Sequence, residues 1–313
     1  MSRTTLQGVF TTRQAPASLR GSALRYARSK GIVVQVKRGL YLNSAAKLPV
    51  DPYALLHRGF PSPVVSHHSA LELHGYAYSC RNVHTAFTDT DQRPFQFRRD
   101  TFVAVAFPKV LRDKHLTRTE TVKVFRLGQH LTVTSLERTL VDCLARPDLS
   151  GGLEEVWRGF DSASADLDAE RLCHYAVLLE NKTLAGLVGL LLDQLSIHVS
   201  KKSRESLRRH APMTPHYAGA ARGDGTLVRD WNVVVPRRLA ERTWEGDPDR
   251  PSITFRTYDA EKIRRAKAKN RRDILRASPA QKLAMQHTHS LVGYNRDDFK
   301  RSLDLSRAAA GFL

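Results

Sequence analysis

A chain of 313 residues, 41% hydrophobic and 26% charged, is long enough for two domains and a sizeable core. No apolar run reaches the ~18–20 residues of a membrane span, and no apolar stretch follows the early arginine, so neither a membrane anchor nor a secretory signal is expected. Cys80, Cys143 and Cys173 are odd in number and far apart, which excludes paired-cysteine metal fingers and fits reduced thiols in a cytoplasm.

The net charge of +19 is the outlier, and it points to a polyanionic partner, nucleic acid first. Its distribution says more than its total. Between Met1 and Val50 stand Arg3, Arg13, Arg20, Arg25, Arg28, Lys30, Lys37, Arg38 and Lys47, and the first acid is Asp51.

The predicted elements of this segment are short helices and a hairpin. Thr11 or Thr12 can cap a helix from Arg13 to Ala17, shortened by Pro16. After an Arg20-Gly21 turn, Ser22 can cap a second helix through Lys30, which Gly31 ends. Leu24 and Ala27 face inward on it, while Ser22, Arg25 and Ser29 share another face. Ile32–Val36 is β-branched and reads as a strand, Lys37-Arg38-Gly39 as a turn, and Leu40–Leu42 as the returning strand.

Helix, turn, helix and basic-tipped hairpin make a winged helix-turn-helix. Its second helix would present Arg25 to guanine edges in the major groove, with Ser22 and Ser29 on neighbouring bases or phosphates. Lys37 and Arg38 at the wing tip would touch backbone or minor groove and hold the register. Arg13, Arg20 and Lys30 complete the candidate DNA-binding set.

Asn43–Pro52 has loop composition and leads into a larger region. Val64–Ser66 reads as a short strand, and Ser66 can cap a helix from His67 to His74 that stops at Gly75. Val83–Phe87, Phe102–Phe107, Val122–Leu127 and Gln129–Thr134 read as strands. Thr134-Ser135-Leu136-Glu137 has capping-box spacing and opens a helix carrying Leu136, Leu140, Val141 and Leu144. Pro147 and Gly151-Gly152 separate it from a helix at Leu153–Phe160. Residues 167–195 read as helical with a buried leucine-rich stretch, Lys201–Arg209 as a basic helix, and Trp231–Val235 as a strand ending at Pro236. The fold class is mixed, α/β or α+β. The divisions are 1–49 for the winged helix-turn-helix, 50–245 for the larger α/β domain, and 246–313 for a basic, mainly helical tail. In that tail Ala260–Arg276 carries eight cations, Lys262, Arg264, Arg265, Lys267, Lys269, Arg271, Arg272 and Arg276, either a solvated helical face or a second phosphate-contacting segment.

Enzyme signatures are missing: there is no P-loop, no dinucleotide-binding glycine motif, no H-E-x-x-H and no nucleophile elbow. His67, His68 and His74 read as core or cap histidines rather than metal ligands. Asp89 and Asp91 after a strand could hold a metal, yet Asp-Thr-Asp is also ordinary turn chemistry. Arg138 and Asp142, one helical turn apart, read as an ion pair. No catalytic residue, metal or cofactor is assigned.

Several of these stretches resemble the AbiEi antitoxins of type IV toxin–antitoxin systems. They are Gly39-Leu40-Tyr41 at the wing, Ser66–Gly75, Val133–Asp142 running on to Gly151–Trp157, and Trp231–Pro236. The resemblance extends over residues 5–240. It implies a repressor whose winged helix binds inverted repeats in its own promoter. It also implies that the larger domain counteracts a nucleotidyltransferase-like toxin without forming a stable complex with it. By position Ser22, Arg25, Ser29, Lys37 and Arg38 would read or clamp DNA, and the Ser66–Gly75 and Thr134–Asp142 segments would be framework. Two alternatives stay open: a stand-alone regulator, and a metal-dependent enzyme on nucleic acid targeted by the winged helix, with Asp89 and Asp91 as its carboxylates.

Overall fold

The computed structural model describes residues 8–44, 50–219 and 225–243. The chain divides into two compact units, Met1–Pro236 and Arg237–Leu313. The basic run Ala260–Arg276 lies outside the described residues.

The first unit opens with β1 (Val9–Thr11), followed by a 3-10 turn at Ala17–Leu19, α1 (Ser22–Ser29), β2 (Val33–Lys37) and β3 (Leu40–Asn43). The three strands form an antiparallel sheet in the order β1-β3-β2. The helix expected at Arg13–Ala17 does not form. The Gln14 side chain accepts from the Thr11 amide at 3.0 Å and holds a turn there, and Pro16, at ψ 156°, admits only the short 3-10 turn after it. Nor is Ser22 the cap of α1. That place goes to Gly21 at φ +60°, a conformation its missing Cβ allows, and Ser22 becomes the first helical residue. The other end is as expected. Gly31 at φ +68° donates to the Arg28 carbonyl, and the Ile32 amide reaches back to Ala27, both at 3.0 Å.

Side-chain alternation in this sheet makes it two-faced. Phe10, Val33 and Tyr41 pack with Ala15, Leu24 and Ala27 in a small core under α1. Val9, Val36, Leu40 and Leu42 point the other way and join the main core, with Tyr53, Leu55 and Leu56 of α2 (Pro52–Gly59). The division drawn at residues 49 and 50 therefore crosses no gap in packing; the winged module is seated on the larger region through a shared apolar layer. Asp51, the first acid in the chain, is buried and takes the Arg126 guanidinium at 3.1 Å.

Beyond α2 come β4 (Val64–Val65), α3 (His67–His74), β5 (Val83–Thr88), β6 (Phe95–Phe97), β7 (Asp100–Ala106), α4 (Lys109–Asp113), β8 (Thr121–Arg126) and β9 (Gln129–Thr134). Their strands make one mixed six-stranded sheet in the order β6-β7-β5-β4-β9-β8. β4 runs parallel to β9 and β5 parallel to β7, and the remaining neighbours are antiparallel. The helices that follow are α5 (Leu136–Ala145), α6 (Leu153–Ala163), α7 (Ala169–Leu178), α8 (Lys182–Gln194) and α9 (Lys201–His210). α5 is central, touching α3, α6, α7 and α8.

One local expectation changes here, and two gain detail. Ser135, not Thr134, caps α5 by accepting from the Arg138 amide, while the Thr134 hydroxyl bonds Thr139 at 2.6 Å. Residues 167–195 are helical as expected and form two helices, because Asn181 accepts from the Leu184 amide and restarts the chain after Glu180 at φ +53°. Arg138 and Asp142 do pair, at 3.2 Å, but fully inside the protein. Arg138 also donates to the carbonyls of Thr117 and Thr119 and lies over the rings of Phe87, Phe107 and Tyr175, so one cation ties α5 to the chain entering β8.

The first unit closes with β10 (His216–Tyr217), β11 (Gly225–Val228) and β12 (Val233–Pro236), a small sheet in the order β10-β12-β11. Trp231 is buried against Gly189 of α8, where a Cβ would stand 2.4 Å from its ring. In the second unit the described residues include α10 (Arg237–Glu241).

Candidate nucleic-acid interface

α1 is held by Leu24 and Ala27 and turns the rest of its surface to solvent. Ser22, Arg25, Tyr26, Arg28 and Ser29 are all exposed, as is Lys30 just beyond. No acid stands in its first turn or anywhere in residues 8–44, so nothing on this module offsets the helix's cations. Arg25 and Arg28 form no ion pair among the described residues, and Arg13 and Arg38 are likewise exposed without one. A helix that presents unpaired guanidinium groups on a firm apolar seat has what major-groove readout asks for.

The predicted residues do not all share that freedom. Ser29 donates its hydroxyl to the Tyr26 carbonyl at 2.8 Å and keeps only lone pairs for a partner. Arg20 spends its Nε on the Ala15 carbonyl at 3.0 Å, pinning the turn that delivers the chain into α1. Lys30, the residue after α1, lies 5.8 Å from the Tyr26 ring centroid, one turn back along the chain. Tyr26, 62% exposed beside Arg25, has no mark in the sequence pattern, since a lone tyrosine reads equally well as core.

Lys37 is the clearest departure from expectation. It is half-buried, and its Nζ lies 4.6 Å from the Phe95 ring centroid and 5.0 Å from that of Phe60. Burial pushes its pKa below the ordinary lysine value. The ammonium faces the six-stranded sheet, not the wing tip. The reason is the register: a bulge between Gln35 and Lys37 turns the last residue of β2 inward. Arg38, one residue later and exposed, holds the tip with Gly39 at φ +83°.

Of the histidines and carboxylates weighed as metal ligands, all but the exposed Asp91 are engaged in the core or in pairs. His67 is buried, bonds the Ser66 hydroxyl at 2.9 Å and lies on the Phe87 ring; burial holds its pKa down at about 3. His68 meets Glu155 at 3.4 Å, and His74 bonds the Thr134 carbonyl at 2.7 Å. Asp89 is paired with Arg118 on the surface. Among the described residues no cluster of three or more potential ligands could hold a metal, and no helix is long and apolar enough to cross a membrane.

No curated protein matches the chain. A solved structure, the RV2827C protein from Mycobacterium tuberculosis, superposes with a TM-score of 0.53 at 17% identity over 77% of this chain and 91% of that one, which is a likeness of fold. In residues 5–44, the stretch that holds the basic, acid-free module described above, the chain matches the family described as transcriptional regulator, AbiEi antitoxin.

Proposed function

We propose that this chain is a DNA-binding antitoxin that represses the promoter of its own operon and counteracts a nucleotidyltransferase-like toxin without holding it in a stable complex. One observation carries the reading: the family match falls on the segment whose exposed helix face bears Arg25 and Arg28 with no acid near them in sequence. α1 enters the major groove with Arg25 on base edges, and Ser22 stands at its start. Arg13, Arg20, Lys30 and Arg38 lie on phosphates, and Lys37 acts from behind by fixing the wing. The larger region carries the antitoxin activity, with Ser66–Gly75 and Thr134–Asp142 as its framework.

The test is binding of the full chain to the DNA upstream of its own gene, with its inverted repeats, against a scrambled duplex. Arg25→Ala is expected to cost about 1–3 kcal/mol on the upstream duplex and to narrow the preference over the scrambled one. Wild-type affinity and preference in that variant would remove α1 from the groove. Toxin rescue is scored separately by co-expressing the neighbouring nucleotidyltransferase-like frame. If no such frame lies beside the gene, the stand-alone regulator is the better account.

A further inference from the structure

The winged module is not the only basic element on that side of the protein. β2 lies beside β6, the edge strand of the six-stranded sheet, and Phe95 at the start of β6 is the joint between them. Its ring stacks on Phe102 at 4.6 Å, meets Phe60 edge-on at 5.4 Å, and receives the Lys37 ammonium. It also lies against Gly59, where a Cβ would stand 2.6 Å from it. A wing clamped this way carries the β6–β7 hairpin with it.

That hairpin is built like a second wing. Residues 92–99 hold Arg93, Arg98 and Arg99 and no acid, and all three arginines are exposed. None forms an ion pair among the described residues, whereas Asp100 behind them is taken by His84 at 2.9 Å. Asp91, one residue before the hairpin, is the acid nearest in sequence that stays exposed. Arg98 sits at the turn with φ +56°, a position where glycine or asparagine is the unstrained choice. The turn thus carries two adjacent arginines, one of them in a backbone conformation its side chain does not favour.

We infer that the β6–β7 hairpin, through Arg93, Arg98 and Arg99, is a second phosphate-contacting element that binds the same DNA duplex as the winged module. This rests on the DNA-binding reading above and adds to it a contact from the larger region. The reach is adequate: at no more than roughly 3.3 Å per residue, Arg93 before β6 and Arg98 and Arg99 in the turn after it lie within roughly 13 Å of Phe95. That is well within one helical turn of a duplex, about 34 Å, from the wing that Phe95 clamps. The contact is to backbone, not to bases, because cations in the segment before β6 and in the turn after it offer charge to phosphates without the fixed helix face that reads base edges.

The experiment uses the full chain, the upstream duplex and the scrambled duplex, between about 50 and 200 mM salt. The triple variant Arg93→Ala, Arg98→Ala, Arg99→Ala is expected to lower the slope of log K against log salt by about 0.9 for each phosphate no longer neutralised. At about 0.1 M salt that is about eightfold in affinity per phosphate, alike on both duplexes. The matching triple lysine variant keeps the slope, since a point charge satisfies a phosphate. Lys202→Ala with Arg209→Ala, exposed on α9, is the control for net charge and is expected to leave the slope alone. Arg25→Ala reports on the winged module independently. If it relaxes base preference while the alanine triple binds as wild type, the hairpin is off the DNA and only this inference falls. If both bind as wild type, the DNA-binding reading falls with it. A slope lowered equally in the α9 control would also overturn the hairpin's role, by assigning the effect to total charge.

Discussion

Lys37→Met separates two roles that a wing lysine can have. Methionine keeps most of the stem and removes the ammonium, whose Nζ lies 4.6 and 5.0 Å from the Phe95 and Phe60 centroids. A cation over an aromatic ring contributes about 0.5–2 kcal/mol, rising with desolvation. The same burial that strengthens the interaction disfavours the charge and lowers the lysine's pKa, so part of that gain is offset. A net loss of about 1 kcal/mol is expected, which in a domain of this size lowers Tm by about 2–4 °C. DNA affinity should drop slightly while the salt slope stays as in wild type, if the ammonium serves the two rings and not a phosphate. Arg38→Met at the exposed tip is expected to do the reverse, with an unchanged Tm and a slope lower by about 0.9. Thermal unfolding and a salt titration on the same preparations decide it. A slope lowered by about 0.9 in Lys37→Met with Tm unmoved would place that ammonium on DNA and refute the packing argument.

Other outcomes follow from the interior. Arg138→Ala leaves Asp142 buried without its cation and is expected to cost about 3–5 kcal/mol in urea unfolding, with Arg138→Met and Asp142→Leu together costing less; equal losses in both would mean the charge pair is not what matters. Gly189→Ala drives a methyl into the Trp231 ring and is expected to cost at least about 1–3 kcal/mol, read from the same unfolding curves and from tryptophan fluorescence. His67 is held neutral by burial, with a pKa of about 3, so below about pH 6.5 the unfolded chain binds a proton that the folded one refuses. Its contribution to stability is complete above that pH and declines on acidification. Asp142, raised to about 6 by burial, works in the opposite sense, since the folded state takes its proton first. His67→Gln should therefore gain on wild type as the pH falls from about 6.5, with a slope that approaches about 1.4 kcal/mol per pH unit near pH 5. Unfolding free energies that run parallel over that interval would show that His67 does not set it.

Much of the local structure is legible in residue order, because capping, turns and alternation act over a few residues. The ending of α1 at Gly31, the inward pair Leu24 and Ala27, the return strand from Leu40 and the helix between Ser66 and Gly75 are all of that kind. So is the charge segregation that points to DNA. Where two local signals compete, residue order does not rank them: Gly21 takes the cap position in place of Ser22, and Ser135 takes it in place of Thr134.

Which side chains are free is a matter of packing. Arg25 and Lys37 look alike as exposed cations on a basic segment, yet one faces solvent and the other rests on Phe60 and Phe95, about twenty and sixty residues further along the chain. Arg138 and Asp142 have the spacing of a surface pair and form a buried one. Such outcomes depend on distant segments meeting, which residue spacing does not encode. Residue order alone makes the first fifty residues basic and builds them of small, capped elements. Their seating on the six-stranded sheet anchors the wing by its lysine and sets the β6–β7 hairpin beside it, because both depend on where Phe95 comes to lie.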